Sequence, residues 1–295
     1  MRGMVTKAMY LASAIVSVGL GCNTPRAPAL SWVENCNTHS FAPPITEPDA
    51  CAVAGEHTTL GAQLFGTDVV IAGQNFDDGI VIAGGGSAAT TANRDVVLRI
   101  PVGAALGKLL IADVFTSFKK LDLGVTFSVG GTELHSPPLG IYPHILDSFW
   151  MVTRGPMPFG DEHAPPPAKH TVVIASLSTS NYAKQPLVGP AATLADIDWV
   201  AIRTDGPKHP LGTCQFDMTT YRGQQGSNTS GVSIPQIGDD ATFTIYERRS
   251  GKVIDRKDFV AGPAPCPDVV NGGGDIHVPV DIERVREYLF QRIAS

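Results

Sequence analysis

The stretch Asp95-Val-Val-Leu-Arg-Ile100, stopped by Pro101 and running on to Leu123-Gly-Val-Thr-Phe-Ser-Val129, decides how this chain is read. Its first part is rich in β-branched residues, and Pro101 cannot donate to a sheet ladder, so a strand is predicted over 95–100. After Pro101 the period changes. Val102, Leu106, Leu109, Leu110, Val114, Phe118 and Leu121 recur at three- and four-residue steps, which puts them on one helical face. Lys119 and Lys120 then fall in the last turn, where cations suit the helix dipole. Leu123 to Val129 returns to strand and Gly130-Gly131 closes it. The product is a strand–helix–strand unit of the size of a βαβ crossover. A strand over Leu109 to Phe115 is the alternative for its middle.

Upstream, Asp68-Val-Val-Ile-Ala-Gly73 and Gly79-Ile-Val-Ile-Ala83 are short β-rich runs joined by a turn-rich link. They complete a first module over 53–155. Residues 156–169 contain Pro165-Pro166-Pro167, which favours extended polyproline geometry, and they form the expected linker. A long hairpin loop inside a single domain is the other reading. The second module, 170–295, is strand-rich. Thr171 to Leu177 and Ile197 to Ile202 read as buried strands. Thr242 to Arg248 and Val253 to Phe259 flank Arg249-Ser-Gly-Lys252, a hairpin turn in which Gly251 can take positive φ. Alternation on both arms turns Phe243, Ile245, Val253 and Phe259 partly inward, against charged outward positions. Asp281 can cap a final helix whose Ile282, Val285, Leu289 and Ile293 make one stripe that must lie on a sheet face. The fold class expected is α+β, strand-dominated, in two modules: the first with the strand–helix–strand unit, the second a disulfide-linked β-domain with a C-terminal helix.

The chain has 295 residues, 43% hydrophobic and 17% charged, which describes a globular protein with a real core. Its net charge of −6 comes without any basic run, which argues against nucleic acid as a partner. The N-terminus reads as an address. Arg2 and Lys7 supply a positive region, Ala8 to Leu20 an apolar run, and Gly21-Cys22 a small-residue end, so 1–21 is expected to be a signal peptide. Prolines 25, 28, 43, 44 and 48 make 22–52 a tether. Cys36, Cys51, Cys214 and Cys266 remain, an even number that in an exported chain reads as two disulfides. Of the three connectivities, Cys36–Cys51 with Cys214–Cys266 keeps each bond within one module. Zinc at Cys36-x-x-His39 is the competing reading, and it lacks a second close pair.

Three resemblances add to this. Gly19-Leu-Gly-Cys22 after the apolar run resembles a bacterial lipoprotein signal, which implies that Cys22 becomes the first mature residue and carries lipid with palmitate-type chains. It also implies a membrane partner through that anchor, at the periplasmic or cell-surface face of the outer membrane. Residues 68–131, with their Val-Val-Leu-Arg-Ile-Pro-Val phrase, resemble the periplasmic domain of ExbD-like biopolymer-transport proteins. That implies an accessory role in an energy-transducing envelope complex, with an envelope protein as partner. Tyr246-Glu-Arg-Arg-Ser-Gly-Lys252, Lys257-Asp-Phe259 and Cys266-Pro267 resemble an uncharacterised β-domain of bacterial envelope proteins. It implies fold, disulfide and location without a reaction.

Candidate chemistry is sparse. Gly85-Gly86-Ser87-Ala88-Ala89 imitates a hydrolase nucleophile elbow but lacks its last glycine, so Ser87 is a weak nucleophile candidate. Asp161, Glu162, His163 and His170 could collect a metal, although a solvated loop is the simpler account. Asp196 and Asp198 read as two carboxylates on the wet side of a strand. His57, His135, His144, His209 and His277 are scattered and read as surface or loop residues. Asn228-Thr229-Ser230 matches a glycosylation sequon. The expectation is therefore a non-catalytic structural or binding module of the envelope, with no metal and no cofactor. A Ser87 hydrolase and the ExbD-like accessory are the alternatives.

Overall fold

The β-branched runs form sheets, and their pairing shows which segments meet. A computed structural model describes residues 31–33, 45, 48–54, 58–91, 94–115, 119–142, 144–157, 159, 169–175, 186–216, 231–268 and 274–295. One antiparallel sheet has the order β1 (Ser31–Val33), β2 (Ala50–Ala54), β3 (Thr58–Phe65), β4 (Asp68–Gln74) and β7 (Val96–Pro101). A second is made of β5 (Val81–Gly84), β6 (Ser87–Thr90), β9 (Thr126–Val129) and β10 (Thr132–His135), in the order β10-β9-β5-β6. The short β8 (Lys120–Leu121) and β11 (Leu139–Gly140) pair with each other. A third sheet runs β13 (Leu187–Val188), β12 (Val172–Ala175), β14 (Trp199–Phe216), β15 (Val232–Glu247), β16 (Val253–Phe259), and β17 (Ile276–Pro279) lies parallel to part of β15. The protein is strand-dominated α+β, as its composition and patterning lead one to expect.

The stretch expected as one helix is two short ones, α1 (Gly103–Gly107) and α2 (Ile111–Val114). Leu110 between them is extended, at φ −70° and ψ 137°. Tertiary bonding overrides the period here. Ile111 N–H donates to Ala192 O at 2.9 Å and Leu194 N–H donates to Leu109 O at 3.0 Å, so backbone groups a helix would use are spent on another segment. The flanking strands β7 and β9 belong to different sheets, so the chain order strand–helix–strand is present without a crossover in one sheet. The expected tether is also partly structured. β1 and β2 join the first sheet, because Ala50, Cys51 and Ala52 are small enough to be buried between it and its surroundings.

A larger departure lies in β14 and β15, which make an antiparallel ribbon of 18 and 16 residues where the sequence suggests short strands. Gly206, Pro207, Pro210 and Gly212 read as breakers. They are accommodated because β12 pairs only Trp199 to Ile202, which leaves the rest of β14 without a neighbour on its outer side among the described residues, and two register shifts absorb the irregularity. Cys214 of β14 is bonded to Cys266, with Cα atoms 5.7 Å apart and a sequence separation of 52. Closing a loop of that length contributes about 4 kcal/mol in the chain-entropy account. Cys51 is also disulfide-bonded, and Cys36, its expected partner, lies outside the described residues.

The third sheet is buried on both faces at one end, formed by β12 with residues 200–202 and 241–245. Val173, Ala175, Val200 and Ile202 face a core shared with Leu60, Leu64, Ile71, Leu106 and Phe149 of the first stretch. The stretches expected as separate modules, 53–155 and 170–295, thus share one apolar cluster. Val172, Ile174, Ala201, Phe243 and Ile245 face the other way, onto α4 (Ile282–Ala294) through Val285 and Leu289. Asp281 caps α4 by accepting from Glu283 N–H at 2.9 Å, as its position predicts. Tyr288 donates to Asp255 at 2.7 Å, and Arg292 pairs with the same carboxylate, pinning the helix to β16. The expected hairpin forms, with Gly251 at φ 70°, and Phe243, Ile245 and Phe259 point inward. Val253 does not: it is 58% exposed, because the ladder shifts register between Ile245 and Tyr246.

Arg248, in that hairpin's turn, is 1% exposed. Its Nε donates to Ile197 O at 2.5 Å, Nη1 to Met157 O at 2.6 Å and Nη2 to Ala195 O at 3.3 Å. Its guanidinium also stands 5.4 Å from the centre of the Phe159 ring. Removing it strands buried carbonyls, each of which costs roughly 1–3 kcal/mol when unmet. Arg248→Ala is expected to lower stability by about 3–5 kcal/mol, and Arg248→Lys, which cannot fork to several acceptors, by roughly 2. The urea midpoint at unchanged slope is the measurement. A loss under about 1 kcal/mol for Arg248→Ala would remove the clasp from the account.

Candidate functional site

A cleft opens where the turn between β3 and β4 meets the helix α3 (His144–Phe149) and the 3₁₀ segment Trp150–Arg154. The helix is amphipathic by spacing. Ile145, Phe149 and Val152 are buried in the shared core, while His144, Asp147, Ser148 and Met151 fall at i, i+3, i+4 and i+7 and line the cleft. Opposite them are Gln63, Phe65 and Gly66, the last at φ 66° so that the turn can close. This lobe holds about 230 Å³. A second lobe of about 310 Å³ continues past Phe65, Gly66 and Met151 to Arg99, Arg154 and Met157.

Polar groups converge in the first lobe. His144 Nε2 stands 3.3 Å from Asp49 Oδ1 and 3.4 Å from Gln63 Nε2. Asp49 precedes β2, and its other oxygen is buried with no hydrogen-bond partner among the described residues. Gly140 makes the room: a β-carbon there would stand 2.9 Å from Asp49 Oδ1. The hydrogen bond that His144 donates to Asp49, aided by the carboxylate's charge, outweighs burial and raises the His144 pKa above the ordinary imidazole value. Burial raises Asp147 above the usual carboxylate range, against the lowering pull of His144. The arrangement can bind hydrogen-bonding groups and hold a proton at His144. Ser148 is occupied otherwise, since its hydroxyl donates to His144 O at 2.6 Å within the helix.

The residues singled out from sequence lie elsewhere. Ser87 opens β6 after Gly85 and Gly86, at φ 55° and 82°, which form a tight hairpin turn. A strand follows it where an elbow needs a helix. Asp161, Glu162, His163, Cys22, Cys36, His57 and Asn228 to Ser230 lie outside the described residues. The aspartate pair separates. Asp196 is exposed and closes a capping box on Thr193; burial works against it, but hydrogen bonds from Thr193 and Ala192 hold its carboxyl below the usual range. Asp198 is 5% exposed rather than solvated, because it precedes β14, accepts from Thr171 N–H at 2.7 Å and hydrogen-bonds His170 Nδ1. His170 stacks on Trp199 with ring centres 4.0 Å apart. Of the scattered histidines, His209 and His277 meet Asp240 and Asp239 on the ribbon, and His135 is exposed. His144 is the one that the surface reading missed. Its signal was the His-x-x-Asp-Ser spacing on an apolar-backed helix, whereas Asp49 and Gln63 are too distant in the chain to suggest the cluster.

No helix among the described residues is long and apolar enough to cross a membrane. Comparison with known protein families, curated proteins and solved structures finds no match to the chain.

His144 and Asp147 both bind a proton more tightly in the folded state. The His144 contribution is complete below about pH 6.5 and is lost as pH rises through its raised folded value; that of Asp147 is lost likewise, at lower pH. Urea midpoints taken from about pH 5.5 to 9 should fall on the alkaline side, and Asp49→Asn should flatten that fall. A slope equally steep in Asp49→Asn would disconnect His144 from Asp49.

Proposed function

We propose that the chain is a lipoprotein of the bacterial envelope, anchored through Cys22 at the outer membrane periphery and acting as a non-catalytic binding module. The observation that carries the binding role is the cleft of two adjoining lobes, Gln63, His144 and Asp147 lining one and Arg99 the other, with exposed Phe65 and Met151 shared between them. Its polar groups suit recognition, and no serine or cysteine nucleophile lies hydrogen-bonded to a base among the described residues that line it. The oxidised state of Cys51, Cys214 and Cys266 supports an exported location, because cytosolic thiols are kept reduced. The charged N-terminal region, the apolar run and Cys22 support the anchor.

The mature protein should partition into detergent, and Cys22→Ala should leave it unprocessed or released. Fractionation unchanged by Cys22→Ala sinks the anchor. Affinity capture from detergent-solubilised envelopes tests the rest: a defined inner-membrane partner recovered in stoichiometric amount would replace the stand-alone module with the ExbD-like accessory role. Labelling by a fluorophosphonate that disappears in Ser87→Ala would replace it with a hydrolase.

A further inference from the structure

The second lobe of the cleft carries a charge pattern of its own. Arg99 projects from the edge strand β7, opposite Val70 of β4, and its guanidinium lies 5.2 Å from the centre of the Phe65 ring. An aromatic face holds a cation in place without accepting its N–H groups, so the donors stay available. Arg154 ends the 3₁₀ segment on the facing wall. Neither arginine has a carboxylate within ion-pair distance among the described residues, although Asp68 lines the same lobe. Two guanidiniums against one carboxylate leave an excess of a single positive charge, on a chain whose net charge is −6. The remaining wall is mostly apolar, through Phe65, Met151, Pro156 and Met157, with Thr67 as its further polar side chain.

We infer that this lobe binds a small amphipathic carboxylate, its anionic end held by Arg99 and Arg154 and its apolar body laid over Phe65, Met151 and Pro156, with buried Met157 beneath. The inference rests on the reading of the cleft as a binding site and names what it takes. The guanidinium fork matches a carboxylate in two parallel hydrogen bonds. The single excess charge suits a monoanion, because Asp68 repels the second charge of a phosphate monoester. A volume of about 310 Å³ is at the small end of ligand sites, which sets the body at about one aromatic ring or a short alkyl chain. The carboxylate can belong to a free acid or to the C-terminus of a peptide, and the two present the same group to the arginines.

Methionine-methyl NMR reads the site directly, since Met151 and Met157 line it and, of the chain's six methionines, Met1, Met4 and Met9 leave with the expected signal peptide. The probes are 4-phenylbutyrate for a free acid, N-acetylphenylalanine for a peptide terminus, and the primary amide of each. One or both acids should shift the two methyl signals saturably, with the matching amide at least tenfold weaker. Arg99→Gln and Arg154→Gln, both at exposed positions, should each weaken the acid at least tenfold and leave the amide unchanged. The tighter acid identifies the source of the carboxylate. An amide that binds as well as its acid, or glutamine variants that bind the acid undiminished, would overturn the carboxylate while leaving the cleft a binding site. Methyl signals that none of the four probes moves would overturn both.

Discussion

A single buried arginine holds three parts of this chain in register. Arg248 sits in the turn between β15 and β16, yet its side chain reaches the backbone at Met157, Ala195 and Ile197. Its own backbone completes the join, accepting from Met157 N–H at 2.9 Å and donating to Asp198 O at 2.7 Å. A guanidinium is suited to this work because it offers five donors in a fixed plane. The acceptors are main-chain carbonyls at loop ends, which burial would otherwise leave unmet. The turn of the second stretch is thereby tied to the end of the 3₁₀ segment that forms one wall of the cleft.

From that join the layering follows. The end of the third sheet around β12 is apolar on both sides, so it needs a cover on each. The first stretch supplies one and α4 the other. Helix α3 shows how a site arises from such packing. Its apolar side is drawn into the shared core by Ile145 and Phe149, and the polar remainder is left facing the β3–β4 turn across a gap that neither side fills. The cleft is thus a by-product of the requirement that the helix bury one face and the turn protrude.

What the sequence revealed and what it concealed divide along a physical line. Helix α4 and the β15–β16 hairpin were legible because their signals are local: a cap at Asp281, a stripe of four apolar residues, a glycine at φ 70°. The stretch from Val102 to Leu121 had an equally clear stripe and was misread, because hydrogen bonds from residues 192–194 decide its backbone and lie far off in the chain. The ribbon was hidden for the opposite reason. Pro207 and Pro210 are strong breakers by themselves and become harmless only on a strand with an unpaired side. Asp198 and Arg248 look like ordinary surface charges among others of their kind. Nothing in the neighbours of Arg248 marks it, rather than Arg249, as the one that turns inward through the third sheet's end.

Beyond Ile202 the outer side of β14 faces no strand among the described residues, and this bears on how the molecules behave in company. A long strand with a bare backbone is a template on which another chain can extend a sheet, and crowded proteins precipitate by that route. Here the template is interrupted at short intervals. Pro207 and Pro210 withhold donors, Lys208 adds charge, and the ladder slips twice between Asp205 and Gly212. An incoming strand would find its register lost within a few residues. The irregularities that make β14 hard to recognise are thus the same features that oppose extension of the sheet along its outer side.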